Sequence, residues 1–320
     1  MKVVLFGSSG LLGSAVEAEL ARRGYAYHCF SRNGAKKVDS SNDSQSLLIE
    51  KHEQVTKEMF DLWPDAIVNC AAVSSPDQVN QNPSAAHLVN VEGPRHLAEV
   101  ASHLGARFLH ISTDMVFDGL SSPYRSTDQP NPLSEYGRQK LEAEKSILSV
   151  TDENLVVLRI TLLNGNSPEG MRSQHEKILH ALAKEEPMVL FEDEVRQPCS
   201  SENVASAIVE LLERPNLNGL FHWAGDEEIS RYELGVRILE RFGIDPGGIK
   251  KGSLKKEEER VGVRPAHLSF ELSPLLGKLK TNPLSVEKQL ESLIIPPVLY
   301  EWYREHADDP SRYVPRFSSK

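Results

Sequence analysis

The chain is poor in cysteine, in long apolar runs and in positive charge, and each shortage removes a class of function. Cys29, Cys70 and Cys199 stand far apart in 320 residues and show no metal-ligand spacing. Neither a disulfide framework nor a metal site is expected, and a reduced compartment fits best. No stretch approaches the roughly 18 apolar residues of a membrane helix, and the opening run Val3-Val4-Leu5-Phe6 is too short for a signal-peptide core. A cytoplasmic protein without membrane association is the expectation. The formal net charge of -10 leaves no global basic field for a polyphosphate backbone, which argues against nucleic acid but permits a local anion pocket. Internal repeats and low-complexity segments are also missing. With 39% hydrophobic and 26% charged residues, the sequence is globular, and long enough for one large domain with appendages or two domains sharing a cleft.

What is present is an alternation. Val3 to Phe6 is a short apolar run ending at Gly7, and Leu11 to Arg23 then carries Leu12, Val16 and Leu20 at helical spacing before Gly24. Tyr25 to Phe30, Ala66 to Cys70, Arg107 to Ser112 and Leu155 to Ile160 read as further strands, with helical segments between them, among them Leu141 to Leu148. Strands separated by helices of ten or so residues pair in parallel through right-handed crossovers, the α/β doubly wound (Rossmann) class. The spacing predicts a nucleotide-binding domain over 1–160 and a smaller, mainly substrate-binding region over 161–320. Helices are expected at Ser173 to Lys184, Glu202 to Glu213 and Ser230 to Phe242, the last opened by Ser230 and Glu233 at capping-box spacing. Gly219 to Ala224 is expected to return as a strand to the main sheet. The charge-dense stretch Lys250 to Arg260 and the polar tail Asp308 to Lys320 are expected to be mobile.

The loop Gly7-Ser8-Ser9-Gly10-Leu11-Leu12-Gly13 spaces its glycines three residues apart between strand and helix. Backbone amides can then approach a pyrophosphate at the helix N-terminus, where unpaired N–H groups and the helix dipole favour anions. A Cβ at Gly7 or Gly10 would obstruct that approach. Gly7, Ser9, Gly10, Leu11, Leu12 and Gly13 are therefore candidate dinucleotide contacts, although any tight strand-to-helix turn uses glycine. After the second strand, an acidic residue would accept from a ribose 2′-hydroxyl and a basic one would pair a 2′-phosphate. Ser31 and Arg32 stand there, so NADP is favoured, with NAD possible; the bland alternative is a solvated arginine. Cys70, Ala71 and Ala72 end a strand in small side chains that suit passage of the adenosine half. Asp39 could approach the adenine from a loop.

Tyr136 and Lys140 lie one helical turn apart on one face. Reduction of a ketone needs a proton delivered to the nascent alkoxide, and a tyrosine near pKa 10 is poorly matched unless a cation lowers it. Lys140 would supply that cation and could donate to the nicotinamide ribose. Alone, such a pair is more often surface decoration; its context is the strand ending in Ser112-Thr113-Asp114, where a hydroxyl points into the ligand crevice. Thr113 is assigned to hold the substrate carbonyl, with Ser112 the nearest competitor and Asp114 a helper acid or a turn-former.

Together these residues resemble the extended short-chain dehydrogenase/reductases, specifically the dTDP-4-dehydrorhamnose reductases and the related regulatory β subunit of methionine adenosyltransferase. The resemblance is carried by Gly7 to Gly13, Asn69-Cys70-Ala71-Ala72, Asn90, His110-Ile111-Ser112-Thr113-Asp114-Met115-Val116-Phe117-Asp118-Gly119, Pro123-Tyr124, Tyr136 to Lys140 and Leu158-Arg159-Ile160. It spans about residues 1–245. It implies NADPH- or NADH-dependent reduction of a 4-keto deoxysugar on a nucleotide, Tyr136 as acid, Lys140 as its tuner and Asn90 at the cofactor. The resemblance extends to Val195-Arg196-Gln197-Pro198, where Arg196 pairs a nucleotide phosphate or forms a salt bridge. Gly219-Leu220-Phe221-His222-Trp223-Ala224-Gly225 is closest to the β subunit, with His222 and Trp223 read as core residues. Met115 stands where the family has tyrosine, which removes a polar contact and bears on the substrate more than on the cofactor. Asn164-Gly165 replaces an aromatic-Gly pair.

Three readings follow. The first is an NADP-dependent reductase of a nucleotide-linked 4-keto sugar. The second is a sugar-nucleotide epimerase or dehydratase with the same Tyr and Lys. The third is a cofactor-bound regulatory subunit, binding NADP and a protein partner without turnover. A homodimer is compatible with the reductase reading.

Overall fold

The computed structural model describes residues 1–34, 45–151, 153–257 and 264–313. Its central sheet is built from β1 (Lys2–Phe6), β2 (Ala26–Ser31), β3 (Gln45–Ser46), β4 (Ala66–Asn69), β5 (Arg107–Thr113), β6 (Leu155–Ile160) and β7 (Gly219–Trp223). The strands lie in the order β7-β6-β5-β4-β1-β2-β3, and every neighbouring pair is parallel. The chain steps outward from β1 to β3, crosses back to β4 on the other side of β1, and continues outward. This is the doubly wound Rossmann order with a seventh strand at the edge, and it opens a crevice where the direction of winding reverses, between β1 and β4. The strand expected at Gly219 to Ala224 is β7.

The main helices are α1 (Leu11–Arg22), α2 (His52–Leu62), α3 (Gly93–Leu104), α4 (Glu135–Leu148), α5 (Gln174–Ala183), α6 (Ser201–Leu212) and α7 (Arg231–Arg241). Val3 and Leu5 of β1 enter a core with Val16 and Leu20 of α1 and Val204 and Ile208 of α6. Their neighbours Val4 and Phe6 enter the opposite core with Met59 of α2, Leu97 of α3 and Ile147 of α4. Successive strand residues face opposite sides, and both sides are covered, which is why these strands read as unbroken apolar runs. Arg107, buried at the start of β5, donates to the carbonyls of Leu211, Arg214 and Leu217 and to Asn218 at 2.6 to 3.0 Å, fastening the α6–β7 connection to the sheet.

A separate core in the C-terminal half joins Ile178 and Leu179 of α5 to Leu234 and Ile238 of α7, with Phe242, Tyr303 and Tyr313. Segment Val195–Arg196 pairs antiparallel with Ile229–Ser230 and parallel with His267–Leu268. By packing, α6 and β7 belong to the main sheet, so the C-terminal half returns to the first before finishing its own core.

Three stretches differ from expectation. The helix read as Leu141 to Leu148 begins at Glu135, because the Ser134 hydroxyl accepts the Gly137 amide at 3.0 Å and caps it. The stretch expected to be mobile from Lys250 begins as a strand, Ile249–Gly252, paired with Met188–Phe191. The tail is docked as far as Tyr313: the Asp308 amide donates to Gly243 O at 2.8 Å, and Tyr313 packs edge-on against Phe242. Residues 258–263 and 314–320 lie outside the described residues. Among the described residues no helix is long and apolar enough to cross a membrane.

Candidate active site

β1 runs into Gly7, which turns the chain with φ +83°; a Cβ there would stand 2.6 Å from the Ala71 amide nitrogen. A Cβ on Gly13 would overlap the Gly7 carbonyl. Both glycines are thus dictated by how closely β1, α1 and the end of β4 pack. Gly10 is different: its φ is -82°, and an added Cβ would meet only Gly7 O, at 3.2 Å. The obstruction expected at Gly10 therefore depends on a ligand's approach rather than on the protein. Gly10 is the N-cap of α1 and supplies no side-chain cap, which leaves the amides of the first turn, from Leu11 and Leu12 onward, for an anion.

Over these strand ends lies a cleft of about 590 Å³, walled by Gly7, Ser9 and Gly10, by Ser31 and Arg32, and by Cys70, Ala71 and Ala72. The residues read from the sequence as dinucleotide contacts thus converge, with Leu11, Leu12 and Gly13 behind them in α1. Asn90 is placed otherwise. It is fully buried; its Oδ1 accepts the Val73 amide at 2.9 Å, and its Nδ2 donates to Val73 O at 3.2 Å and Gln139 Oε1 at 3.1 Å. Through these bonds it holds Val73, a residue of the cleft wall, in place. The far wall contains Met171, Arg172 and Lys177, at the start of α5, which the sequence reading missed. Their only trace is a pair of cations beside a helix start, on the far side of the chain from the glycine loop. Asp39 lies outside the described residues.

β5 delivers Thr113 and Asp114 at its C-terminal end, and α4 carries Tyr136 and Lys140 past them. The Thr113 and Tyr136 side chains stand side by side, close enough for Thr113 to act on the phenol, and Thr113 Oγ1 reaches Asp114 Oδ1 at 3.1 Å and accepts the Met115 amide at 3.2 Å. Tyr136 is buried among Val79, Ala86, Val73 and Met115. Burial, and then the Asp114 carboxylate, push its phenol up, while the Thr113 hydroxyl opposes them. Burial also pushes Asp114 up to about 6, against the pull of Arg196 and the Thr113 hydrogen bond.

Lys140 shares the helix face with Tyr136 as expected, but its amino group is held by other partners. Nζ bonds His110 Nε2 at 2.8 Å and donates to Ile111 O at 2.7 Å. A buried amino group must find hydrogen-bond partners, and β5 supplies them. Burial pushes Lys140 down to about 8, with Glu144 and Cys70 opposing. Ser112, the competing hydroxyl, donates instead to Glu144. Glu144 is itself clasped by Arg159 at 2.7 and 2.9 Å, a buried ion pair that ties β5, β6 and α4 together beneath the site.

Arg196 lies across from Asp114. Its terminal nitrogens bond Glu194 at 2.9 Å and the carbonyls of Val195, Pro265 and Ala266. Arg231 stands in the same field with Arg264 and Glu194 and donates to Gln174 Oε1 at 2.5 Å. Asp114 therefore faces a group of arginines despite the acidic chain as a whole. His222 is a core residue: it is buried, stacks on Phe270 with centroids 3.8 Å apart, and lies 3.3 Å from Arg159.

Residues 1–295 match a family model described as the RmlD substrate binding domain. The chain belongs to the RmlD family. Its relatives include methionine adenosyltransferase 2 subunit beta of Bos taurus, 34% identical over 76% of this chain and 72% of that protein. They also include dTDP-4-dehydrorhamnose reductase of Mycobacterium tuberculosis, 28% identical over 78% of each. The solved structure of dTDP-4-dehydrorhamnose reductase from Bacillus anthracis, in complex with NADP, superposes with a TM-score of 0.78 at 23% identity, over 91% of this chain and 96% of that one; it shows the shared fold. Both resemblances read from the sequence are thus met, and the RmlD family is one of sugar-nucleotide oxidoreductases. The docked end at Tyr313 falls outside the span matched by the RmlD model.

Proposed function

We propose that this RmlD-family protein is an NADP-dependent reductase of a nucleotide-linked 4-keto deoxysugar. The juxtaposition of Thr113, at the end of β5, with Tyr136, in the first turn of α4, carries the reading: a hydroxyl pair at the carboxyl end of the sheet, beside the winding-reversal crevice, is where this fold presents a ligand. Bound NADPH supplies the hydride. Thr113 holds the substrate oxygen, Tyr136 gives that oxygen its proton, and Lys140 supports the proton balance behind Tyr136. The glycine loop and the α1 amides take the pyrophosphate, Arg32 takes the 2′-phosphate, and Arg172 and Lys177 add positive charge from the far wall. Asp114, with Arg196 behind it, meets the sugar nucleotide. Gly7, Ser9, Ser31 and the Cys70 to Ala72 wall favour a dinucleotide by leaving room for it.

A second reading is supported by the 34% identity to an adenosyltransferase β subunit: a protein that binds NADP and a partner chain without turnover. NADPH oxidation assayed against dTDP- and other nucleotide-linked 4-keto sugars separates the two. The reductase consumes one NADPH per sugar reduced; a flat response with NADPH binding intact favours the regulatory reading. An epimerase would convert sugar without net NADPH loss.

A further inference from the structure

Behind the active site a line of buried polar groups leads to Lys140, and its first two members, Asn69 and His110, are not used by the reaction as described. Asn69 Nδ2 stands 3.0 Å from His110 Nδ1, and His110 Nε2 stands 2.8 Å from Lys140 Nζ. Asn69, His110 and Lys140 are all buried. The backbone settles which way Asn69 faces, because its Oδ1 accepts the Ala71 amide at 3.0 Å. Its NH2 group is thereby turned to His110, and since an amide NH2 only donates, Nδ1 must accept. His110 is neutral, because burial, and then the charge of Lys140, hold it well below the ordinary range. A neutral imidazole carries one proton, so with Nδ1 accepting, that proton sits on Nε2 and faces Lys140.

An ammonium has three donors and no lone pair. Against it, the Nε2–H would set donor against donor. Against a neutral amine it makes a hydrogen bond, and the amine still donates to Ile111 O at 2.7 Å. To hold an ammonium, the imidazole must move its proton to Nδ1, and Asn69 must then give up His110 or Ala71. The other groups facing Lys140 pull the opposite way: Glu144 from its own helix and the Cys70 thiol from the end of β4 both favour the charged form. Glu144 is already balanced by Arg159.

We propose that His110, oriented by Asn69, is a positioning residue of the reduction: it fixes Lys140 Nζ beside the cofactor cleft and keeps Lys140 a group that can exchange a proton, rather than a permanent cation. The proposal rests on the reductase reading only for the use made of that proton. The ionisation of Lys140 and the tautomer of His110 are properties of the folded chain and are measured without turnover.

The first measurement is imidazole nitrogen-15 NMR of the wild-type, full-length protein at pH 9, where Lys140 is mostly the amine. The expected tautomer of His110 is protonated on Nε2; protonation on Nδ1 overturns the proposal. The second follows the Lys140 titration in ε-carbon-13-lysine-labelled protein, alongside the pH profile of kcat/KM. His110→Gln places an amide oxygen against Lys140. Asn69→Asp gives a carboxylate that accepts from both Ala71 and Nδ1–H, turning Nε2 into an acceptor. Both variants should raise the Lys140 midpoint by about one unit, roughly a tenfold gain in proton affinity, and carry the basic limb of kcat/KM with it. An unmoved midpoint in the folded variants overturns the proposal; should His110→Gln not fold, Asn69→Asp decides. A raised midpoint with no turnover on any keto sugar supports the role of His110 and removes the reductase reading instead.

Discussion

Gly137 packs so tightly on the Met115 carbonyl that a Cβ on the glycine would overlap it. That contact presses the first turn of α4 onto the turn after β5 and so brings Tyr136 to Thr113. The Met115 side chain lies against Tyr136, alongside Val79 and Ala86. The methionine that departs from the family pattern therefore makes an apolar wall around the phenol, and its backbone sets the spacing of the two hydroxyls.

Gly137→Ala should push α4 off the Met115 turn. Overpacking of this kind costs about 1–3 kcal/mol, read by denaturant unfolding, and turnover should fall more than NADPH affinity does. Wild-type turnover in the alanine variant would show that this contact does not set the Thr113–Tyr136 geometry.

Tyr136→Phe keeps the ring and its packing but removes the proton. Loss of a general acid typically lowers kcat about 10²- to 10⁴-fold, and NADPH binding, measured by fluorescence titration, should stay within a few-fold of wild type. Unchanged turnover would remove Tyr136 from the chemistry.

Arg32→Ala should weaken NADPH by roughly 10- to 100-fold, the worth of a charge-assisted phosphate contact, and leave NADH nearly untouched. Arg172→Ala and Lys177→Ala, on the opposite wall, should weaken both cofactors alike, since the pyrophosphate is common to them. Calorimetric titration with the two cofactors distinguishes these patterns.

Asp114 makes stability depend on pH. Its folded carboxyl titrates near 6 against an ordinary 3.8, chiefly because of burial. Between about pH 4 and 6 the folded protein keeps a proton that the unfolded chain has lost, so this group's contribution is fully present below pH 4 and fades as pH rises through 6. The total is of order 3 kcal/mol. Asp114→Asn should therefore stabilise the protein at pH 7 and lose that advantage at pH 4, as followed by thermal unfolding at both values.

The sequence by itself determined whatever is written in neighbouring residues. Val3 to Phe6 followed by the glycine trio specified strand, turn and helix, and the repetition of that pattern specified a parallel sheet. The two Tyr136–Lys140 positions shared a face because a helix returns every 3.6 residues. These signals are local, so they survive without a fold. What only the tertiary structure decided are contacts between distant segments, which leave no period in the chain. Asn69 reaches His110 and His110 reaches Lys140 across three separate elements, so a histidine that reads as one more strand residue becomes the neighbour that governs the lysine. Asn90 fits a cofactor contact by pattern, yet its polar atoms bind Val73 and Gln139. Arg172 and Lys177 enter the cleft only because the C-terminal half folds back over the first. The polar tail is docked up to Tyr313 because that ring finds Phe242 and Tyr303. Burial gave Asn69, His110, Asn90 and Tyr313 their roles, and burial is a property of the assembled layers rather than of the sequence around any one residue.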